Sequence, residues 1–248
     1  MARFTGKVAL VTGGGSGIGR ATALAFAAEG ATVVVAGRSA DALEQTMKEI
    51  ETGSAVQADV TRGDDVRRLV ATVVERHGRL DIAFNNAGIL GPNAKVGDLD
   101  DDDFAAVVDT NLTGTWLCMK HEIAHMRAHG GGAIVNMASN IGVHRRRPGL
   151  GAYAASKAAI AALTRTAAVD HIADGIRINA VSPGATDTEM SLLPGESDAG
   201  RAARLGATVP LGRVGRTAEI ANAVLWLASD EATFAVGHDL VLDGGATA

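Results

Sequence analysis

The chain has 248 residues, of which 47% are hydrophobic, only 3% are aromatic and 31 are glycines, so one α/β domain with an aliphatic core fits the sequence. A formal net charge of −5 gives no reason to expect nucleic acid or an acidic membrane surface as a partner. The single cysteine, Cys118, excludes an internal disulfide and every multi-cysteine metal site, and no segment reaches the ~18 apolar residues of a membrane span. We therefore expect residues 1–248 to form a single soluble, cytoplasmic domain.

The first half of the chain alternates short apolar runs with helical patterns. The predicted strands cover residues 7–12 and 33–36, a third run near Ala55, and residues 80–84, and the predicted helices cover residues 21–29, 41–51 and 66–76. This alternation implies right-handed crossovers and a parallel sheet with helices on both faces.

The second half continues the same pattern. Its predicted helices cover residues 102–129, an alanine-rich segment that contains Tyr153, and residues 217–228, and its predicted strands cover 133–137, 176–181 and 238–242. The stretch 186–214 is less regular and rich in glycine and proline. Long loops in compact domains are usually functional, so we expect this stretch to be a mobile substrate lid.

A glycine-rich turn follows the first predicted strand. It reads Thr12-Gly13-Gly14-Gly15-Ser16-Gly17-Ile18-Gly19, with a Gly13-x-x-x-Gly17-x-Gly19 spacing that departs from the strict G-x-G-x-x-G pattern. Glycines there let the backbone approach a pyrophosphate, which the N-terminus of the following helix favours. A P-loop is the alternative, but Arg20-Ala21 stands where that motif needs its Lys and Ser/Thr.

The end of the second strand bears on the choice of dinucleotide. A site that prefers NAD commonly holds an acid there, whereas this chain has Gly37 followed by Arg38. Glycine and arginine leave room and charge for a 2′-phosphate, so we predict NADP rather than NAD. The alternative is that Arg38 only stacks on adenine, which would tolerate both cofactors.

Tyr153, the only tyrosine of the chain, lies four residues before Lys157 in the alanine-rich helix. This spacing puts both side chains on one helix face, where an ammonium near a phenol would lower the tyrosine pKa and favour proton transfer. The same spacing is common on solvated helix faces, so the pair alone does not establish catalysis.

Together, the glycine turn and the Tyr-x-x-x-Lys pair resemble those of the short-chain dehydrogenase/reductase family, in its single-domain branch. The resemblance implies a Rossmann-type doubly wound parallel sheet of about seven strands, in the order 3-2-1-4-5-6-7, with helices on both faces. It also implies an NAD(P)-dependent oxidoreductase acting on a secondary alcohol or ketone, assembled as a homotetramer through the final strand and the long helix.

The same resemblance assigns roles to individual residues. Ser139 would hydrogen-bond the substrate oxygen, Tyr153 would exchange the proton, Lys157 would bind the nicotinamide ribose, and Asn111 would hold a water that relays the proton. The expected cofactor-binding residues are Gly13, Ser16, Gly17, Ile18, Gly19, Arg38, Asp59, Val60, Asn86, Ala87, Gly88, Tyr153, Lys157, Pro183, Gly184, Thr186 and Thr188, and no metal is expected.

The loop before Tyr153 departs from the family pattern. Ser139 and Tyr153 are fourteen positions apart, one residue more than is usual, and the loop contains His144-Arg145-Arg146-Arg147. One hypothesis is that these arginines recognise an anionic group of the substrate. The alternative is a solvated loop or a subunit contact.

One motif indicates a different class of protein. His121-Glu122-Ile123-Ala124-His125 satisfies the H-E-x-x-H pattern of zinc metallohydrolases, although Gly131 stands where an elongated motif needs its third histidine. A zinc metallohydrolase using His121, Glu122 and His125 is therefore one alternative. A catalytically silent nucleotide-sensing protein is the other.

Overall fold

The computed structural model describes residues 2–248, and within them seven strands form one parallel sheet in the order β3-β2-β1-β4-β5-β6-β7. This confirms the sheet and strand order that the family resemblance implied. The strands are β1 Val8–Thr12, β2 Thr32–Gly37, β3 Gly53–Gln57, β4 Ile82–Asn85, β5 Gly132–Met137, β6 Ile176–Pro183 and β7 Asp239–Leu242.

The helices cover both faces of this sheet. Along β1 the side chains alternate, because Ala9 and Val11 belong to one buried cluster and Val8 and Leu10 to the other. The helices are α1 Gly17–Ala28, α2 Ala40–Met47, α3 Gly63–His77, α4 Asp101–Val108, α5 Gly114–Ala128, α6 Gly151–His171, α7 Asp198–Gly206 and α8 Thr217–Ala228. Among residues 2–248, no helix combines the length and the apolar character that crossing a membrane requires.

The long helix predicted over 102–129 is interrupted by a π-helical segment at Asp109–Thr113, which joins α4 to α5. Asn111 lies in this segment, and its side chain bonds both main-chain polar groups of Ile89, at 2.8 Å to the N–H and 2.9 Å to the carbonyl. The hydroxyl of Thr115 donates to the Asn111 carbonyl at 2.7 Å. The hydrophobic pattern of the sequence does not reveal this widened turn, because the turn adds only one residue to the helix.

The stretch 186–214 is more regular than the sequence predicted. It contains a 3₁₀ turn at Glu189–Ser191 and the helix α7, whose N-cap residue Ser197 accepts a hydrogen bond from the Gly200 N–H at 3.1 Å. Arg201 on α7 is buried and pairs with Asp187 and Asp198. The prediction of an irregular stretch was wrong for α7 because it weighted glycine and proline above the Ser197 cap.

Candidate active site

The glycine-rich turn is shaped for a close approach of its backbone to a ligand. Gly13 and Gly17 have φ values of +64° and +51°, which disfavour a side chain, and a Cβ at Gly13 would lie 2.7 Å from Asn86 Nδ2. The helix α1 begins at Gly17 with no side-chain cap and no acidic residue in its first turn. Its free N–H groups and its dipole therefore favour an anion such as a pyrophosphate.

Thr12 ties this turn to the loop that follows β4. Its hydroxyl accepts hydrogen bonds from the N–H groups of Asn86 at 3.0 Å and Ala87 at 3.2 Å. The Asn86 amide in turn donates to the carbonyls of Thr12 at 3.0 Å and Gly13 at 3.2 Å. The sequence interpretation missed Thr12, although a hydroxyl directly before the first glycine was the available signal.

A cavity of about 260 Å³ opens beside the turn. It unites Gly13, Ser16, Arg38, Asp59, Val60, Ala87 and Gly88 of the predicted cofactor residues with Gly15, Gly37, Ser39, Ala42, Leu43, Ala58, Ile89 and Thr110. The glycine cradle and the uncapped helix start fit the adenosine and pyrophosphate portion of a dinucleotide.

The remaining predicted cofactor residues lie outside this cavity. Gly17, Ile18 and Gly19 start α1 directly behind it, and a Cβ built at Gly17 would lie 3.4 Å from Thr188 Cγ2. Pro183 ends β6, and a Cβ built at Gly184 would lie 2.5 Å from Asp243 Cβ, so Gly184 packs against the C-terminal loop. The hydroxyl of Thr186 donates to the Gly184 carbonyl at 3.1 Å.

The four predicted catalytic residues surround the ends of β4 and β5. Lys157 Nζ donates to the Met137 carbonyl at 2.7 Å and lies 5.7 Å from the centroid of the Tyr153 ring. A Cβ built at Gly88 would lie 3.0 Å from Asn111 Oδ1 and 3.6 Å from Lys157 Nζ, so both groups flank this glycine. Ser139 is buried, and its hydroxyl accepts the Ile141 N–H at 3.1 Å.

Burial dominates the titration of the Tyr153/Lys157 pair. It raises the pKa of Tyr153 above the ordinary value, against the lowering effect of a hydrogen bond with Ser139. It also lowers the pKa of Lys157 to about 7. The net shift of the tyrosine pKa is thus upward, opposite to our expectation from the i,i+4 spacing, because the burial of the phenol outweighs the hydrogen bond with Ser139.

The H-E-x-x-H motif does not form a metal centre. Glu122 is fully buried and faces the sheet, where Asn85 Nδ2 donates to its Oε2 at 3.0 Å. The His125 ring instead stacks on the His129 ring with centroids 4.0 Å apart. In the described part of the chain, residues 2–248, no three His, Cys, Asp or Glu side chains are grouped to hold a metal ion. This geometry does not support the zinc interpretation.

Arg145, in the loop before α6, differs from its neighbours in its contacts. Its main-chain N–H donates to the carbonyl of Asn140, the residue after Ser139, at 2.7 Å. Arg145 is partly buried, and its side chain has no ion pair or hydrogen bond within residues 2–248. The other arginines that are not exposed all have a side-chain partner; they are Arg20, Arg177, Arg201 and Arg204. Arg146 differs, because its guanidinium binds the carbonyls of Gly142 and Val143 at 2.6 and 3.1 Å.

Comparisons with known proteins agree with this arrangement. The family model described as Enoyl-(Acyl carrier protein) reductase matches residues 13–247. The cis-4-hydroxycyclohexanecarboxylate dehydrogenase of Sinomonas cyclohexanicum is 43% identical over 249 residues, covering 99% of this chain and 98% of that protein. The 2,5-dichloro-2,5-cyclohexadiene-1,4-diol dehydrogenase of Sphingobium indicum is 42% identical over 250 residues, covering 100% of both chains.

A solved structure extends the likeness to the fold. The crystal structure of levodione reductase has a TM-score of 0.93 to this chain, at 37% identity and with 99% of both chains covered. Neither the metallohydrolase nor the nucleotide-sensor alternative finds support among these relatives. The chain therefore belongs to the short-chain dehydrogenase/reductase family, whose members are nicotinamide-dependent oxidoreductases, and it acts on CH–OH groups.

Proposed function

We propose that the protein is an NADP(H)-dependent dehydrogenase that interconverts a secondary alcohol on a six-membered carbon ring and the corresponding ketone. The observation that carries this proposal is the likeness along the whole chain to two enzymes whose names specify a hydroxycyclohexanecarboxylate and a cyclohexadienediol. An apolar ring also suits the stretch 186–214, the proposed lid, in which Leu205 and Val209 are buried and Leu192 is partly buried.

Ser139, Tyr153, Lys157 and Asn111 are the proposed catalytic residues. The Ser139 hydroxyl would hold the substrate oxygen, and the Tyr153 hydroxyl would exchange a proton with it. The raised pKa of Tyr153 keeps the phenol protonated at neutral pH, which suits proton donation to a ketone. The nicotinamide, when bound, supplies or accepts the hydride. Asn111 Oδ1 and Lys157 Nζ flank Gly88, which supports a role for Asn111 beside the lysine in restoring the proton.

NADP is the proposed cofactor because no acidic side chain occupies the end of β2. Gly37 ends that strand, and the exposed Arg38 and Ser39 follow it along the cavity. A 2′-phosphate would find the arginine charge and the serine hydroxyl there, whereas an acid that bonds the ribose hydroxyls of NAD is missing from those positions.

A carboxylate on the ring is the proposed feature that Arg145 recognises. The Arg145 side chain has no ion pair or hydrogen bond within residues 2–248, and an anionic substrate group would supply a partner. The main-chain hydrogen bond between Arg145 and Asn140 holds Arg145 close to Ser139, because Asn140 is the next residue in the chain. We propose that the long side chain of Arg145 reaches the substrate from there. One relative carries a carboxylate in the name of its substrate, which also supports this assignment.

A homotetramer in the cytoplasm is the proposed state of the protein. Exposed aromatic side chains lie near both surfaces that the family resemblance implicates, with Trp116 on α5 and Phe234 just before β7. A groove of about 370 Å³ between α5 and α6 includes Trp116. Light scattering should give four times the 25.2 kDa chain mass.

The direct test is a screen of NADP⁺ reduction with cyclohexanols, hydroxycyclohexanecarboxylates, linear secondary alcohols and sugars. We expect the ring alcohols to have the highest kcat/KM. Turnover confined to linear alcohols or sugars would refute the proposed substrate class.

A further inference from the structure

A buried polar network lies beneath the catalytic residues and is not used by the proposed mechanism. It consists of Glu122 on α5, Asn85 on β4, Asn136 on β5 and Thr164 on α6, and we call it the Glu122 network. Asn85 Nδ2 donates to Glu122 Oε2 at 3.0 Å and to Asn136 Oδ1 at 3.1 Å. Asn136 Nδ2 then donates to the Thr164 hydroxyl at 2.9 Å. All four residues are buried.

Two oxygen atoms of this network have no hydrogen-bond partner within residues 2–248. They are Asn85 Oδ1 and Glu122 Oε1. The other polar atoms of the same two side chains, Asn85 Nδ2 and Glu122 Oε2, are already hydrogen-bonded to each other. An ionised carboxylate can only accept hydrogen bonds, so it would leave both oxygens unpaired in the core. A protonated carboxyl group solves both problems, because Oε1–H can donate to Asn85 Oδ1 while Oε2 accepts from Nδ2.

The surroundings of Glu122 favour its neutral form. Burial raises the pKa of Glu122 to about 7, against the lowering effect of the Asn85 hydrogen bond. Cys118 lies one turn earlier on the same helix, and burial, with a smaller contribution from Glu122, raises the pKa of its thiol. The strands present the neutral carboxamides of Asn85 and Asn136, α6 presents Thr164, and α3 packs on this side through apolar Leu69, Val70 and Val73.

We propose that Glu122 is a positioning residue that works as a neutral acid, paired with Asn85 through two hydrogen bonds. The pair fixes the ends of β4 and β5, which lead directly into the active site. Asn86, next to Asn85, binds Thr12 and Gly13 of the glycine turn, and Met137, next to Asn136, binds the Lys157 ammonium. Loss of the proton would set a carboxylate oxygen against Asn85 Oδ1 and loosen both connections.

Glu122→Gln is the decisive variant, because a carboxamide supplies the same donor and acceptor without a titrating proton. We expect it to keep kcat/KM within about twofold of the parent and to keep its Tm at pH 5. Glu122→Ala should lower Tm by about 5 °C, because it leaves the Asn85 amide partly unpaired, and should also reduce kcat/KM. The exposed acid Glu75 on α3 offers a matched control, and Glu75→Gln should change neither quantity.

The pH profile separates this role from a merely structural one. The pKa of Glu122 is higher in the folded chain than the ordinary 4.5, so the parent should lose stability as the pH rises from about 4.5 to about 7. This loss should be absent from Glu122→Gln and present in Glu75→Gln. Equal profiles for the parent and Glu122→Gln would overturn the proposal.

An infrared measurement tests the protonation state without activity. With ¹³C-labelled glutamate, the parent should show a protonated carboxyl band at pH 6 that disappears by pH 9 and is missing from Glu122→Gln. A parent spectrum without this band at pH 6 would overturn the proposal, as would a Glu122→Gln variant as unstable as Glu122→Ala.

Discussion

Lys157 Nζ donates to the main-chain carbonyl of Met137 at 2.7 Å, so the buried ammonium is held by β5 while Tyr153 lies beside it on the same helix. This contact fixes the lysine independently of any ligand. It also makes the charge state of Lys157 sensitive to burial, since one carbonyl replaces a full hydration shell.

Replacing Lys157 with Met should therefore alter the pH dependence of stability. The pKa of Lys157 is lowered by burial from 10.5 to about 7, so the parent should gain stability as the pH rises from about 7 to about 10.5. Thermal unfolding of Lys157→Met across this range should lack the gain. A parallel gain in both proteins would contradict a depressed lysine pKa.

Tyr153→Phe should lower kcat by about 10²- to 10⁴-fold, because it removes the proposed proton donor and leaves the ring in place. Steady-state turnover measures the loss, and calorimetric titration with NADPH should give an affinity close to that of the parent. Retention of activity would refute the role of Tyr153, whereas loss of NADPH binding would show that the change had damaged the cofactor site.

Arg38→Ala should raise KM for NADPH by about tenfold or more and leave KM for NADH nearly unchanged, because a charged contact to the 2′-phosphate is lost. Arg67→Ala, which removes an exposed arginine on α3, is the control and should affect neither cofactor. If the parent enzyme prefers NADH, the NADP prediction is wrong.

Arg145→Met should raise KM for 4-hydroxycyclohexanecarboxylate by about 10- to 100-fold while leaving cyclohexanol kinetics unchanged, because only the former carries a carboxylate. Arg147→Met removes an exposed neighbouring charge and should have a much smaller effect. Similar losses on both substrates would indicate that Arg145 supports the loop rather than the carboxylate. Absence of turnover with any ring alcohol by the parent would instead reject the substrate class.

Gly19→Ala should abolish cofactor binding, because the added Cβ would lie 2.8 Å from the carbonyl carbon of Gly13 and force the turn to move. Gly97→Ala is a suitable control, since a Cβ there meets no atom within 4 Å. Cofactor titration and Tm should both distinguish the two variants. An unchanged NADPH affinity in Gly19→Ala would show that the turn does not hold the dinucleotide.

The sequence predicted most of this architecture because its signals are local. Apolar runs such as 7–12 and the glycines from Gly13 to Gly19 directly encode a buried strand and a tight turn. The start of α7 is marked in the sequence mainly by its Ser197 cap, and the burial of Arg201 on this helix follows from tertiary contacts. The orientation of Glu122 likewise depends on which face of α5 packs on the sheet. The direction of the Tyr153 pKa shift was not predictable, because it follows from the burial of the phenol, which residue spacing does not encode.

The π-helical segment at Asp109–Thr113 has a consequence for how this helix can vary. One extra residue in a single turn rotates everything after it by about 100° relative to an uninterrupted α-helix. Deleting one residue there would restore regular helical geometry. If α5 kept its place, Asn111 would move away from Ile89; if Asn111 kept its place, α5 and Glu122 would turn away from the sheet. An insertion or deletion in this turn would therefore disturb the position of Asn111 or the orientation of α5. A more regular helix at this place would lose one of the two arrangements.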